Sequence, residues 1–158
     1  MHVAFVHLRD HSHPVLPAAE GPLRDIGILY KLSEEPDEEK PLAWMGSSYR
    51  DLVDFPEPAR RAAGHNLGRV QNGIEPEDWK PMESIGPGVY EIRVTTVGGG
   101  CSIQHRVFYV AKFDDAVYVL HAFEKKTQKT SRHDVEVGRA RYKQMLQLRR
   151  EALQSTRR

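Results

Sequence analysis

"GVYEIRVTTVGGGCSIQHRVFYVAKFDDAVYVLHAFEK", residues 88–125, decides the fold, because it reads as three strands joined by two short turns. In its first part Tyr90, Ile92 and Val94 alternate with Glu91, Arg93 and Thr95, the period of a strand with one buried face. "VGGG" (97–100) is a flexible turn, "SIQHRVFYVAKF" a second strand, Asp114-Asp115 a tight turn, and "AVYVLHAFEK" a third strand apolar on both faces. Two short connections between successive strands predict an antiparallel meander. The third strand then runs into Lys125, Lys126 and Lys129, with His121 and Phe123 at the junction.

Upstream, "PLAWMG" (41–46) is a short apolar strand, followed by a helix through "SYRDLVDF" with Ser47 or Ser48 as cap. In "PEPARRAAGHNLGRVQNG", Pro58 suits a first helical turn. Ala59, Ala62, Ala63, Leu67 and Val70 recur at helical spacing, and Asn72-Gly73 supplies the stop. The two helices form a hairpin at a Phe-Pro corner, and "EDWKPM" after them reads as a loop. Downstream, "SRHDVEVGRARYKQMLQLRREALQ" is a helix capped by Ser131. Val135, Tyr142, Met145, Leu146 and Leu153 form its apolar stripe and Gly138 its weak point. The order β-αα-βββ-α predicts an α+β domain, a small, mainly antiparallel sheet packed on a helical hairpin.

That domain is expected over residues 40–150, with a basic tail at 151–158. Residues 1–39 carry prolines at 14, 17, 22 and 36 and the acidic run "SEEPDEEK", which suggests an irregular or partly ordered extension. Its "RDIGILYKL" could form a short strand or helix against the body. The net charge of +1 conceals an asymmetry. Residues 1–40 hold eight acids against four bases, and residues 124–158 hold eleven bases against four acids. The basic end calls for a polyanion or an acidic protein as partner.

The single cysteine, Cys101, excludes an intramolecular disulfide and a cysteine-based zinc site. No apolar run reaches membrane-spanning length and no secretory signal opens the chain, so a soluble, cytoplasmic location is expected. Histidines are scattered, and the His11/His13 pair has no supporting carboxylate set, so no metal or other cofactor is expected. "VGGGC" joins two strands and lacks a following Gly-Lys-Ser, which excludes a phosphate loop; nothing resembles a nucleophile elbow.

Cations on the strands carry the functional reading. Arg93 lies mid-strand, Arg106 begins an apolar one, and Lys125 and Lys126 end the third. Side chains facing one another across antiparallel strands stand roughly 5 Å apart, so these cations can crowd one face. Such crowding is costly unless an anion is received there or an acid intervenes, Glu91 being the nearby candidate. Phe123 could offer a stacking face to an unpaired base. The bland alternative is a set of exposed strand positions and a solubilising helix face. His121 suits proton transfer near neutrality, although a lone histidine in an apolar strand is more often a hydrogen-bonded core residue. Tyr109 reads as a packing residue with its hydroxyl at a rim.

"PLAWMGSSYRDLVDFPEPARR", "WKPMESIGPGVYEIRV", "HRVFYVAKFDDAVYVLHAFEKKTQKT" and "DVEVGRARYKQM" together resemble the RelE/ParE superfamily of type II toxins, over about residues 40–146. The branch they resemble most is the phage-derived, gene-product-49-like group that includes HigB-type toxins. The resemblance implies a compact RelE-like fold and a ribosome-dependent mRNA endonuclease (an mRNA interferase). It implies attack of the 2′-hydroxyl on the adjacent phosphate without a metal. It also implies a cognate antitoxin, often a helix-turn-helix DNA-binding protein, that covers the cations with an acidic segment.

By that resemblance the family's basic loop lysine falls on Lys80, its strand arginine on Arg106, and its terminal cation near Lys125 or Lys126. Arg93 takes a strand position that is basic in many members. No tyrosine follows the Lys-Lys pair, which leaves Phe123, His133 or Tyr109 as stand-ins and the general acid and base open. The catalytic candidates are therefore Lys80, Arg93, Arg106, His121 and Lys125, with Phe123, Lys126, Lys129 and Tyr109 for RNA contact. A ParE-like gyrase inhibitor and a non-catalytic phage-derived module that binds RNA or protein are the alternative functions.

Overall fold

The computed structural model describes residues 39–157 and the strand Phe5–Val6. Its elements run β1 (Phe5–Val6), β2 (Leu42–Trp44), α1 (Ser48–Val53), α2 (Glu57–Gln71), β3 (Trp79–Pro81), β4 (Val89–Gly98), β5 (Cys101–Val110), β6 (Val117–Lys125) and α3 (Arg132–Thr156). The order expected for residues 40–150 is present, with β3 added. β1 falls within the predicted extension; the rest of that reading, including "RDIGILYKL", lies outside the described residues. Helix α3 continues to Thr156, through most of the stretch read as a tail.

A hairpin sets the frame. β4 and β5 pair antiparallel from Val89↔Val110 to Gly98↔Cys101. At its turn Gly99 and Gly100 have φ of 58° and 79°, the left-handed conformation that a two-residue type I′ turn needs at both positions. β6 pairs antiparallel with β5 on one side and parallel with β2 on the other, giving one mixed sheet ordered β1-β2-β6-β5-β4-β3. The sheet is thus larger than predicted. β3, read from sequence as loop, is an edge strand held by antiparallel pairing with β4 from Trp79↔Ile92 to Pro81↔Tyr90. Three residues ending in proline are too few to show a strand period.

Both faces of the sheet are covered. On one, Leu52, Phe55, Ala59, Ala63 and Leu67 of the α1–α2 hairpin pack against Ile92, Val94, Val107, Val117 and Val119. On the other, Tyr142 and Met145 of α3 pack against Val89, Phe108, Val110, Tyr118 and Leu120. Packing on the hairpin alone, as predicted, accounts for only one of these layers. The two-sided cover explains why β6 is buried from Val117 to Phe123. None of the helices among the described residues is long and apolar enough to cross a membrane.

β6 carries one irregularity that decides where its end points. Phe108 faces His121 but Tyr109 faces Val119, so Leu120 is an extra residue, a β-bulge. Val117 and Val119 face the hairpin, yet beyond the bulge Ala122 does so, while Phe123 joins the α3 side. The bulge re-phases the strand and turns Phe123 and Lys125 to the α3 face.

Ser131 caps α3 by accepting the Asp134 backbone N–H at 3.1 Å. Gly138, predicted as a weak point, is a close-approach position, since a Cβ there would lie 2.9 Å from Ile85 Cδ1 and 3.1 Å from Phe108 Cδ2. Leu153, assigned to the apolar stripe, is 61% exposed, whereas Met145 is fully buried. Met145→Ala is therefore expected to lower the unfolding free energy by about 2–5 kcal/mol and Leu153→Ala by less than about 0.5. Urea denaturation of the two variants checks the assignment; equal losses would contradict it.

Candidate functional site

Strand register assembles the site. On the α3 side of the sheet, Lys80 faces Glu91 across β3–β4, and Glu91 faces Phe108 across β4–β5. One row along, Arg93 faces Arg106, which faces Phe123. In the next, Thr95 faces Gln104, which faces Lys125. Four of the predicted cations, Lys80, Arg93, Arg106 and Lys125, thus share one face. α3 does not cover this end of the sheet, because it runs back along β6; Lys80, Arg93 and Lys125 keep access to solvent, while Arg106 is buried among its neighbours. Asp134 meets His121, Arg141 the Leu120 carbonyl, and Arg149 forms an ion pair with Asp115.

A buried carboxylate lies among them. Glu91, predicted on an open polar face, is 1% exposed. Its Oε1 stands 3.2 Å from Arg106 Nε and 3.8 Å from Lys80 Nζ, and its Oε2 has no hydrogen-bond partner among the described residues. Arg106 is 2% exposed and donates to the His105 carbonyl at 2.8 Å and to Gln104 Oε1 at 3.1 Å. Thr95 Oγ1 donates to the same Gln104 oxygen, fixing the amide. The Arg106 Nε is misaligned for a hydrogen bond to Glu91 despite the short ion contact. Arg93 pairs with Asp78 of the preceding loop at 3.5 Å, and its Nε has no hydrogen-bond partner among the described residues.

One carboxylate inside and one at the edge do not neutralise four cations, so the face remains electropositive. Burial lowers the Arg106 pKa, Glu91 opposing it and Arg93 adding to it; a guanidinium still stays charged at any physiological pH. The Lys125 ammonium is also pushed down, first by loss of solvation, then by Arg106, with Lys80 and Arg93 adding and Glu91 opposing. Lysine with a depressed pKa is a better proton donor to a leaving oxygen than an unperturbed one. Lys126 and Lys129 are exposed just beyond β6.

Three sequence candidates do not join the cation cluster as reacting or base-stacking groups. His121 is 8% exposed under α3, its Nε2 2.8 Å from Asp134 Oδ1 and its Nδ1 3.4 Å from Arg141 Nη1. An Nε2–H tautomer fits both neighbours, which makes His121 a link between β6 and α3. Phe123 shares the cation face but is 8% exposed, stacked on His121 at 4.8 Å and in an edge-to-face contact with Phe108 at 5.1 Å, so it is too buried to stack on a base. Tyr109 faces the opposite side of the sheet, toward α2, with burial raising its pKa. Sequence reasoning missed Asp78 and Gln104 as neighbours of the arginines; Gln104 was within reach, since it alternates in phase with Arg106.

Burial lowers the pKa of both His121 and His105 below the ordinary imidazole value of about 6.5; Asp134 and Glu124 respectively oppose the shift. The folded protein thus holds them neutral while the unfolded chain takes up protons below that value. Their contribution to stability is complete above about pH 6.5 and is lost as pH falls below it, by at most about 1.4 kcal/mol per histidine per pH unit. A urea midpoint that does not drop between about pH 7.5 and 5.5 would contradict this.

Residues 50–143, which span α1 to the middle of α3 and include all four converging cations, match the family described as "Phage derived protein Gp49-like (DUF891)". The chain belongs to this Gp49-like family. No curated protein matches it. The Gp49-like segment begins within α1, so the family pattern covers the whole sheet except β1 and β2.

Proposed function

We propose that this Gp49-like protein is the toxin of a type II toxin–antitoxin pair, an mRNA endonuclease of RelE/ParE type and HigB-like branch that acts at the ribosome. The observation that carries the reading is the convergence of Lys80, Arg93, Arg106 and Lys125 around Glu91 on one uncovered sheet face. The Gp49-like family is associated with RelE/ParE-like toxins, which supports it.

In this reading the scissile phosphate lies over the Arg93–Arg106 row. The Arg93 guanidinium, which is 39% exposed, receives a non-bridging oxygen, and Arg106, buried beside it, adds its charge to offset what builds as the 2′-oxygen adds to phosphorus. Glu91 is too buried to accept a proton from substrate. It holds Arg106 and Lys80 in place instead, and the 2′-hydroxyl proton leaves to water. The P–O5′ bond breaks as Lys125 donates its proton to the departing 5′-oxygen, giving a 2′,3′-cyclic phosphate and a 5′-hydroxyl. Lys126 and Lys129 hold the flanking backbone. A cognate antitoxin with an acidic segment over this face silences the enzyme.

Primer extension on cellular mRNA after a brief pulse of expression tests the proposal. Breaks at fixed positions within codons are expected. Gyrase-linked DNA breaks with intact mRNA would favour a ParE-like poison, and growth arrest with neither kind of break a non-catalytic binding module.

A further inference from the structure

The sheet face under the α1–α2 hairpin carries a cavity that the proposed cleavage leaves unused. Between the end of α2, the loop after it and strands β3–β5, about 320 Å³ is walled by Val70, Ile74, Pro76, Trp79, Tyr90 and Tyr109. The Trp79 and Tyr90 rings meet edge to face at 5.2 Å, and Tyr90 and Tyr109 lie 5.9 Å apart, so three aromatic rings form one continuous wall. Tyr109 is 4% exposed. Its hydroxyl, like that of Tyr90, has no hydrogen-bond partner among the described residues, yet neither oxygen is sealed inside the protein. Both residues border the cavity, so its aromatic wall carries two unpaired hydroxyls.

The charges around the cavity favour an ion of neither sign. Lys40 donates to the carbonyls of Ala111 and Phe113, and Lys112 to that of Pro87. Against these two lysines the lining holds one acid, Glu75, whose carbonyl accepts from Arg69; in the same loop Glu77 is paired with His65 and Asp78 with Arg93. A neutral planar group suits such a site. The rings meet its faces and edges, and the hydroxyls, which both donate and accept, meet its polar rim. A benzyl or aliphatic side chain would cover the hydroxyls and leave them unpaired, which is unfavourable. A nucleobase brings ring nitrogens and exocyclic groups to satisfy them.

The position agrees. Trp79 and Lys80 are consecutive on the edge strand β3, so their side chains project to opposite faces of the sheet. Lys80 stands beside Glu91 among the cations, and Trp79 beside Ile92 on the hairpin side. An RNA backbone that crosses the cation face to Lys80 reaches the edge of the sheet there, and a base turned around that edge meets Trp79.

We propose that this cavity receives an unpaired nucleobase of the RNA whose backbone lies on the cation face. RNA as the source of the base rests on the nuclease reading; the base itself rests on the cavity.

Trp79 lines the cavity and reports on it through its emission, whereas Trp44 is buried in the core and contributes a constant background. The protein is titrated with the four neutral ribonucleosides, with ribose and with N-acetylphenylalaninamide. A saturable change in emission is expected with at least one nucleoside and not with ribose. It is expected to be weakened about tenfold by Tyr109→Phe and left unchanged by Lys125→Ala. A short end-labelled 2′-O-methyl RNA is then compared, by fluorescence anisotropy, with the same backbone lacking bases. Removing the bases is expected to weaken binding about tenfold or more, and by less in Tyr109→Phe. No saturable change with any nucleoside would overturn the proposal, as would an equal response to N-acetylphenylalaninamide, which marks a seat for a protein side chain. RNA binding that needs Lys125 but loses equally on base removal with and without the Tyr109 hydroxyl would overturn the base site and leave the nuclease reading standing. Nucleoside binding without RNA binding would uphold the base site and remove the nuclease reading.

Discussion

Arg106→Ala is expected to lower the unfolding free energy by about 3–5 kcal/mol, the cost of leaving a buried carboxylate without its partner. Glu91 is 1% exposed and already has one oxygen without a hydrogen-bond partner among the described residues, and without Arg106 its remaining cation there is Lys80 at 3.8 Å. Loss of toxicity in this single variant therefore says little about catalysis. Replacing both partners, Arg106→Met with Glu91→Leu, removes the uncompensated charge and is expected to recover most of the stability. The double variant is expected to remain without mRNA cleavage. Denaturation midpoints and primer extension read the two effects separately. Recovery of cleavage along with stability would show that Arg106 serves the fold alone.

Lys125→Ala is expected to reduce cleavage about 10²–10³-fold, in line with removal of a single proton donor or charge-stabilising group. Stability is expected to change by less than about 0.5 kcal/mol, because the side chain is partly exposed and makes no hydrogen bond among the described residues. The pH profile distinguishes a proton donor from a mere cation. The ammonium form is the acid and its pKa is depressed, so the wild-type rate falls as pH rises through that pKa. Lys125→Arg keeps the charge but titrates far higher, so the alkaline limb moves up and the rate at its plateau drops. An unchanged alkaline limb in Lys125→Arg would remove Lys125 from the proton-transfer step.

Much of the meander was legible because its signals are local. Alternation in "VYEIRVTT" put Glu91, Arg93 and Thr95 on one face, and the glycines at 99 and 100 marked a tight hairpin. The shared face of Arg93 and Arg106 is then a consequence of the hairpin closing symmetrically. What stayed hidden depends on chain brought from far away. Glu91 reads as a solvent residue in its own strand; β3 on one side and Arg106 on the other bury it. The bulge at Leu120 leaves no sign in an all-apolar stretch, yet it puts Lys125 on the arginines' face. His121 and Phe123 stood at a suggestive junction, but α3 folds back over them, and the cap at Ser131 gave no indication of which sheet face the helix would take. Tyr109 was separated from the cations by a single residue of phase.

The central claim is that a scissile ribose-phosphate lies on the face made by β3–β6 outside α3. Titrating isotope-labelled protein at low salt with a short 2′-O-methyl RNA, which binds but lacks the attacking hydroxyl, tests it directly. Shifts centred on Lys80, Arg93, Arg106 and Lys125, reduced in Lys125→Ala, are the expected result. Shifts confined to the α2 face or the far end of α3, with those four residues unmoved, would contradict it.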